Sequence, residues 1–283
     1  MSKYIRVIPR LDIKGPNLVK GIHLEGLRVM GKPEDFAKYY YEAGADELLL
    51  MDVVASLFGR NSIHEIITKT AKSIFIPITV GGGLRSLEDI KQVLRAGADK
   101  ACLNTAAIGN PNIIKEASLR FGSSTIVVAI EAIKHPDGKY YAYTDNGREY
   151  TGKEVFQWAS QVQDLGAGEI IITSVDFEGT GKGFDISLIS QMSKLLSIPV
   201  IAHGGAGKVE DISLMLKESD VYAVSVASLL HYNYVKNNLT DSANSKEGNV
   251  EFLKSKRSFS TFKTSTITQI KENLKDNGLP CRI

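Results

Sequence analysis

Short apolar runs rich in β-branched residues alternate along this chain with segments whose apolar positions recur at helical spacing. The runs are YIRVIPRL (4–11), DELLLMDV (46–53), FIPITV (75–80), KACLN (100–104), TIVVAIEA (125–132), EIIITSVD (169–176), IPVIA (198–202) and VYAVSVA (221–227). Between them lie PEDFAKYYYEAG, SIHEIITKTAKS, SLEDIKQVLRAG and KEVFQWASQVQDLG, and STITQIKENLKDNG follows the eighth run. Several of these segments begin after Ser, Asp or Pro and end at Gly, as helix termini prefer. Strands apolar on both faces belong to a parallel sheet covered by helices. Eight such units predict an α/β fold, a (β/α)8 TIM barrel over residues 1–283, with an open doubly wound sheet as the alternative.

The pattern also repeats. IPITVGGG starts at Ile76 and IPVIAHGGAG at Ile198; GADELLLMD starts at Gly44 and GAGEIIITS at Gly166; EDI occurs at 88–90 and 210–212. All three pairs are 122 residues apart. One offset kept across three elements predicts a barrel built from two similar halves. In a barrel the loops after the strand C-termini build the active site. The glycine clusters at 81–83 and 204–205 therefore fall on opposite sides of one rim. Glycine lets backbone N–H groups come close to a ligand, and a following helix start favours an anion. With NTAA (104–107), VASLL (226–230) and DFEGTGKG (176–183), they predict two facing phosphate cradles for a substrate phosphorylated at both ends.

Composition narrows the partners. The chain has 283 residues, 34 basic against 32 acidic, and a net charge of +2. That balance gives no electrostatic case for nucleic acid or an anionic membrane. No apolar run reaches bilayer-spanning length and the N-terminus MSKYIRVIPR lacks a signal-peptide core, so a cytoplasmic location is expected. Cys102 and Cys281 form no spaced pair, and no His/Cys/Asp cluster has ligand spacing, so neither a disulfide framework, a metal nor another cofactor is expected. NLT at 238–240 fits a glycosylation sequon but has no export signal to give it meaning.

Asp12 ends the first run and Glu131 the fifth, on strands that face each other across an eight-stranded barrel. Two acids flanking a substrate can divide general acid and base work. The alternative is a pair of solvated strand-end acids, or partners for Lys20. Asp52 and Asp176 are further strand-end acids, suited to orienting a ligand or a loop.

The stretches LDIK (11–14), LVKG (18–21), GADELLLMD, VGGGLRS, GADKACLNTAA, RFGSSTIVVAIEA, GAGEIIITSVDFEGT and IPVIAHGGAG together resemble the cyclase subunit of imidazole glycerol phosphate synthase. This is the HisF-like family of histidine biosynthesis, and the match runs from Tyr4 to Asn233 and resumes at the terminal helix. The resemblance implies a lyase-type cyclase that takes ammonia from a separate glutaminase subunit docked at the N-terminal barrel face. Ammonia would cross the barrel core to a bisphosphorylated ribulosyl-formimino-aminoimidazole carboxamide substrate, giving imidazole glycerol phosphate and an aminoimidazole carboxamide ribotide. It places the catalytic acids on Asp12 and Glu131, and the family's mobile-loop lysine on Lys20. It places the other substrate and phosphate contacts on Gly82, Gly83, Asn104, Thr105, Thr173, Asp176, Gly179, Gly204, Gly205, Ala227 and Ser228. Its channel gate falls on Arg6, Glu47, Lys100 and Glu169.

Three departures stand out. Glu131 replaces the family's Asp, Arg10 and His203 stand where small or neutral residues are usual, and a Ser/Asn/Lys-rich segment at 234–263 precedes the last helix. That segment is expected to be a flexible inserted loop. KYYAYTDNGREYTG (139–152) is expected to form a hairpin around Asn146-Gly147 that roofs the mouth. Because these changes cluster at the substrate side, two alternatives are carried: a relative delivering ammonia to a nucleotide sugar, and a non-catalytic phosphometabolite-binding barrel that activates a glutaminase.

Overall fold

The computed structural model describes residues 4–55, 63–238 and 262–282. Eight parallel strands close into a barrel: β1 (Arg6–Lys14), β4 (Leu48–Asp52), β5 (Ile78–Gly81), β6 (Lys100–Leu103), β7 (Ile126–Lys134), β10 (Glu169–Ser174), β11 (Val200–His203) and β12 (Ala223–Val226). Pairing of β7 with β10 and of β12 with β1 completes the ring, which removes the doubly wound alternative. All eight apolar runs of the sequence are strands of this barrel.

Side-chain alternation along each strand splits the core in two. Outward-facing residues such as Val7, Leu48, Leu50, Val128 and Ile172 pack against the helices. Ile8, Leu49, Cys102, Val127, Ile171, Ile201 and Ala223 form a separate cluster inside the barrel. The helices α1 (Pro33–Glu42), α2 (His64–Ala71), α3 (Leu87–Ala96), α4 (Thr105–Gly109), α5 (Asn112–Phe121), α6 (Val155–Asp164), α7 (Ile186–Leu195), α8 (Val209–Lys217), α9 (Ser228–Asn238) and α10 (Ile267–Asp276) cover it. Their ends follow local chemistry. Ser86 and Asp89 form a reciprocal capping box at the start of α3, and Gly97, at φ 118°, closes its end.

Two antiparallel hairpins rise from the barrel's C-terminal rim. The first, β2 (Asn17–Ile22) and β3 (Glu25–Gly31), continues from β1. The second, β8 (Tyr140–Thr144) and β9 (Glu149–Glu154), continues from β7 and is the hairpin expected around Asn146-Gly147. Its tip is three successive left-handed residues, Asp145, Asn146 and Gly147. The first residues of the segment expected to be an inserted loop, 234–238, are helical, because α9 runs through Asn238. At its far end Phe262 packs on Tyr232 with ring centroids 5.3 Å apart, and Lys263 N–H donates to Gly207 O at 2.8 Å. Residues 239–261 lie outside the described residues.

Candidate active site

Inward-facing residues at the strand C-termini meet in one buried layer. Asp12 follows Ile8 and Arg10 on the inner face of β1, and Glu131 follows Val127 and Ala129 on that of β7. Both are nearly inaccessible, at 3% and 6% exposure. Their environments differ. Arg10 Nε donates to Asp12 Oδ1 at 2.8 Å; burial works against its charge, but Arg10 and Lys20 hold Asp12 below the usual carboxylate range. Burial dominates at Glu131 and pushes its carboxyl up to about 7, against the opposing pull of Arg10 and of Gly147 N–H, which donates to Oε2 at 2.8 Å. Two acids at one mouth with pKa values driven apart are suited to separate acid and base roles.

Lys20 belongs to β2 and is 2% exposed, paired with Glu178 rather than with Asp12 or Glu131. Glu178 Oε2 also accepts from Leu24 N–H at 3.1 Å, and its backbone carbonyl accepts from His23 N–H at 2.9 Å. Glu178 therefore fastens the first hairpin onto the β10 loop. It was not singled out in the sequence, where it sits inside a glycine-rich run that reads as a turn. Behind this layer, Tyr40 O–H donates to His231 Nδ1 at 2.6 Å, and His231 Nε2–H donates to the Arg10 carbonyl at 2.9 Å. Burial pushes His231 down to about 3, so it stays neutral in this relay. Tyr40→Phe leaves a buried ring nitrogen without its donor and is expected to lower unfolding free energy by about 1–3 kcal/mol, read from urea titration.

The glycine loops build two recesses. The larger, about 360 Å3, is lined by Gly82, Gly83, Asn104, Thr105, Asp52, Glu131 and Asn146, so the first expected cradle and one acid share a cavity of ligand size. The second, about 20 Å3, brings together Gly179, Gly204, Gly205, Ala227 and Ser228 with Glu178 and His203. Thr173 is buried at the inner end of β10, in register with Glu131 and His203. Asp176 holds a loop, one of the two roles expected of it. It is exposed, and Oδ2 accepts Lys134 N–H at 2.9 Å, which pins the base of the second hairpin rather than lining either recess.

The glycines answer first to the chain itself. A Cβ on Gly82 would sit 2.1 Å from the Asp52 carbonyl oxygen, and one on Gly205 would sit 1.9 Å from that of Gly183. Close strand-to-loop packing thus demands glycine at these positions before any ligand is considered. The second hairpin's tip then bridges the mouth. Asn146 Nδ2 donates to Val53 O at 2.6 Å, and Arg148 Nε lies 3.3 Å from Glu25 Oε1 on the first hairpin.

At the opposite end of the barrel, Arg6, Glu47, Lys100 and Glu169 close a ring of ion pairs. Arg6 Nη1 is 2.5 Å from Glu47 and 2.9 Å from Glu169, and Lys100 Nζ is 3.1 Å from each. Two cations alternate with two anions, so the ring is neutral and every charge is paired. The apolar interior cluster lies between this ring and the acids. Among the described residues, no group of three or more His, Cys, Asp or Glu is placed to hold a metal ion, and no helix is long and apolar enough to cross a membrane.

Residues 6–236 match the family model described as histidine biosynthesis protein. Imidazole glycerol phosphate synthase subunit HisF of Legionella pneumophila is 56% identical over 209 residues, which is 74% of this chain and 99% of that protein. The chain belongs to the HisF family. The HisF of an Exiguobacterium species is 47% identical over 80% of this chain and 88% of its own length. That of Staphylococcus saprophyticus is 40% identical over 98% of both chains. All three HisF relatives carry the synthase name, which does not favour the nucleotide-sugar alternative.

Proposed function

We propose that this chain is the ammonia-dependent cyclase subunit of a glutamine amidotransferase pair in histidine biosynthesis. Its substrate is the bisphosphorylated ribulosyl-formimino-aminoimidazole carboxamide ribonucleotide, and its products are imidazole glycerol phosphate and the aminoimidazole carboxamide ribotide. The observation that carries this reading is the axial arrangement: a neutral ring of four paired charges at one end, an apolar interior, and two unlike acids at the other. A small neutral nucleophile is the species suited to an apolar passage, since an unpaired ion there is costly. Strand offsets support two similar halves, since β5 and β11 begin 122 residues apart, at Ile78 and Val200.

In this reading one phosphate rests over Gly82, Gly83, Asn104 and Thr105, and the other over the outer lip formed by Gly179, Gly204, Gly205, Ala227 and the start of α9 at Ser228. Lys20 and Thr173 are assigned to the substrate between the two phosphates, and Asp176 acts only through the hairpin base. Asp12, kept ionised by Arg10, takes the proton released as ammonia adds to the substrate. Glu131, kept protonated by burial, gives one to the departing oxygen or nitrogen. A glutaminase subunit docks at the N-terminal face, over Arg6, Glu47, Lys100 and Glu169, and the pair works in the cytoplasm.

The test is turnover of that substrate by the purified chain with ammonium chloride as nitrogen source. Absence of turnover with intact binding returns the reading to a non-catalytic barrel. A second assay addresses the ring. Lys100→Met leaves two carboxylates sharing one cation, and the ratio of glutamine-dependent to ammonia-dependent turnover in the reconstituted pair is expected to fall at least about tenfold, equivalent to about 1.4 kcal/mol at the transfer step.

A further inference from the structure

Two buried polar atoms at the mouth lack hydrogen-bond partners and take no part in the chemistry above. They are His203 Nε2 and Ser225 Oγ. The residues are 2% and 1% exposed and lie opposite each other in register on β11 and β12. Both side chains face the barrel axis, because Ile201 and Ala223, two positions earlier, belong to the interior cluster. They are the first hydrogen-bonding side chains on those two strands above that apolar stretch.

Geometry fixes what His203 offers. Its Nδ1 lies 3.0 Å from the Ser225 carbonyl oxygen, which can only accept, so Nδ1 carries the hydrogen. Burial, reinforced by the Arg10 guanidinium, pushes the ring down to about 4 and keeps it neutral. Nε2 is then a bare acceptor, and an unpaired acceptor at that depth is expensive to keep. In front of it is the recess of about 20 Å3 bounded by Glu178, Gly205 and Ala227. That is room for a water-sized molecule.

We propose that His203 Nε2, with Ser225 Oγ beside it, docks a single ammonia molecule after its passage through the barrel, making His203 a positioning residue for the nucleophile. The assignment rests on the ammonia-dependent reading above. Ammonia donates one N–H to Nε2 and keeps its lone pair for attack. Burial and Arg10, the two largest influences on the His203 ring, both oppose a positive charge at this spot, which favours ammonia over ammonium.

Two measurements decide it. With saturating bisphosphorylated substrate and varied ammonium chloride at fixed pH, His203→Leu is expected to raise the KM for ammonia about tenfold, the effect of one hydrogen bond worth about 1.4 kcal/mol. The KM for the bisphosphorylated substrate stays unchanged, and His203→Gln, whose amide oxygen also accepts, recovers most of the loss. A rise confined to the bisphosphorylated substrate's KM overturns the proposal and makes His203 a substrate contact. Independently, the labelled Nε2 resonance of His203 in the wild-type chain is expected to move on titration with ammonium chloride at alkaline pH and not with potassium chloride. No movement overturns the proposal as well. If the wild type fails to turn over the substrate, the reaction assignment fails while this titration still decides the docking site.

Discussion

Glu131→Gln is expected to lower kcat by about 10²–10⁴-fold, the range a positioned proton donor contributes, with the substrate KM little changed. The amide keeps the size of the side chain and can still accept from Gly147 N–H, so the hairpin tip stays fastened and the loss reports the missing proton. The pH profile gives the sign. A general acid works in its protonated form, and burial places the Glu131 transition at about 7. Wild-type kcat/KM is therefore expected to decline as pH rises through about 7, and this limb is absent from the Gln variant. Asp12, held below its ordinary range by Arg10, contributes its transition on the acid side. A wild-type profile flat from neutral to alkaline pH would remove Glu131 from the acid role. Glu131→Asp is less informative, because a carboxylate withdrawn by one methylene also leaves Gly147 N–H without its acceptor.

Lys20→Met is the stability counterpart. Lys20 and Glu178 are each 1% exposed at the side chain, and removing the cation leaves an uncompensated buried carboxylate. Breaking such a pair costs about 3–5 kcal/mol, which a urea midpoint reads directly. In the wild type burial works against the Glu178 charge, but Lys20 outweighs it and holds the carboxyl below its ordinary range, so its contribution is present above the unfolded-state pKa and lost as pH falls through the folded one. In the variant the sign reverses, since an unpaired buried carboxyl is neutralised by protonation. The stability gap between the two proteins is expected to narrow toward acid pH. Lys20→Met combined with Glu178→Leu is expected to recover most of the loss, and no recovery would mean that Lys20 contributes through packing of its stem rather than through charge.

The barrel was legible because its determinants are periodic. Each of the eight strands is a local apolar run, and Ser86 or Gly97 marks a helix end by chemistry that needs no tertiary context. The second hairpin was legible for the same reason, from Asn146-Gly147. The first was not. Its turn residues His23 and Leu24 both adopt positive φ without being glycine or asparagine, so no turn residue announces it. Asp12 and Glu131 were legible as the ends of two facing strands, whereas the ion ring came only through the family resemblance, since four isolated charges read as ordinary salt bridges. Glu178 was not, since its role depends on a lysine 158 positions away. The glycines illustrate a subtler gap. Sequence identifies where a side chain is forbidden, but only coordinates reveal that Asp52 O and Gly183 O are the atoms that forbid it.

The bond from Gly147 N–H to Glu131 ties access to chemistry. A carboxyl that has given up its proton becomes an anion, and a backbone amide holds an anion more firmly than a neutral acid. In the proposed cycle the strap over the chamber is thus cinched at the moment the donor is spent and slackens once it is recharged.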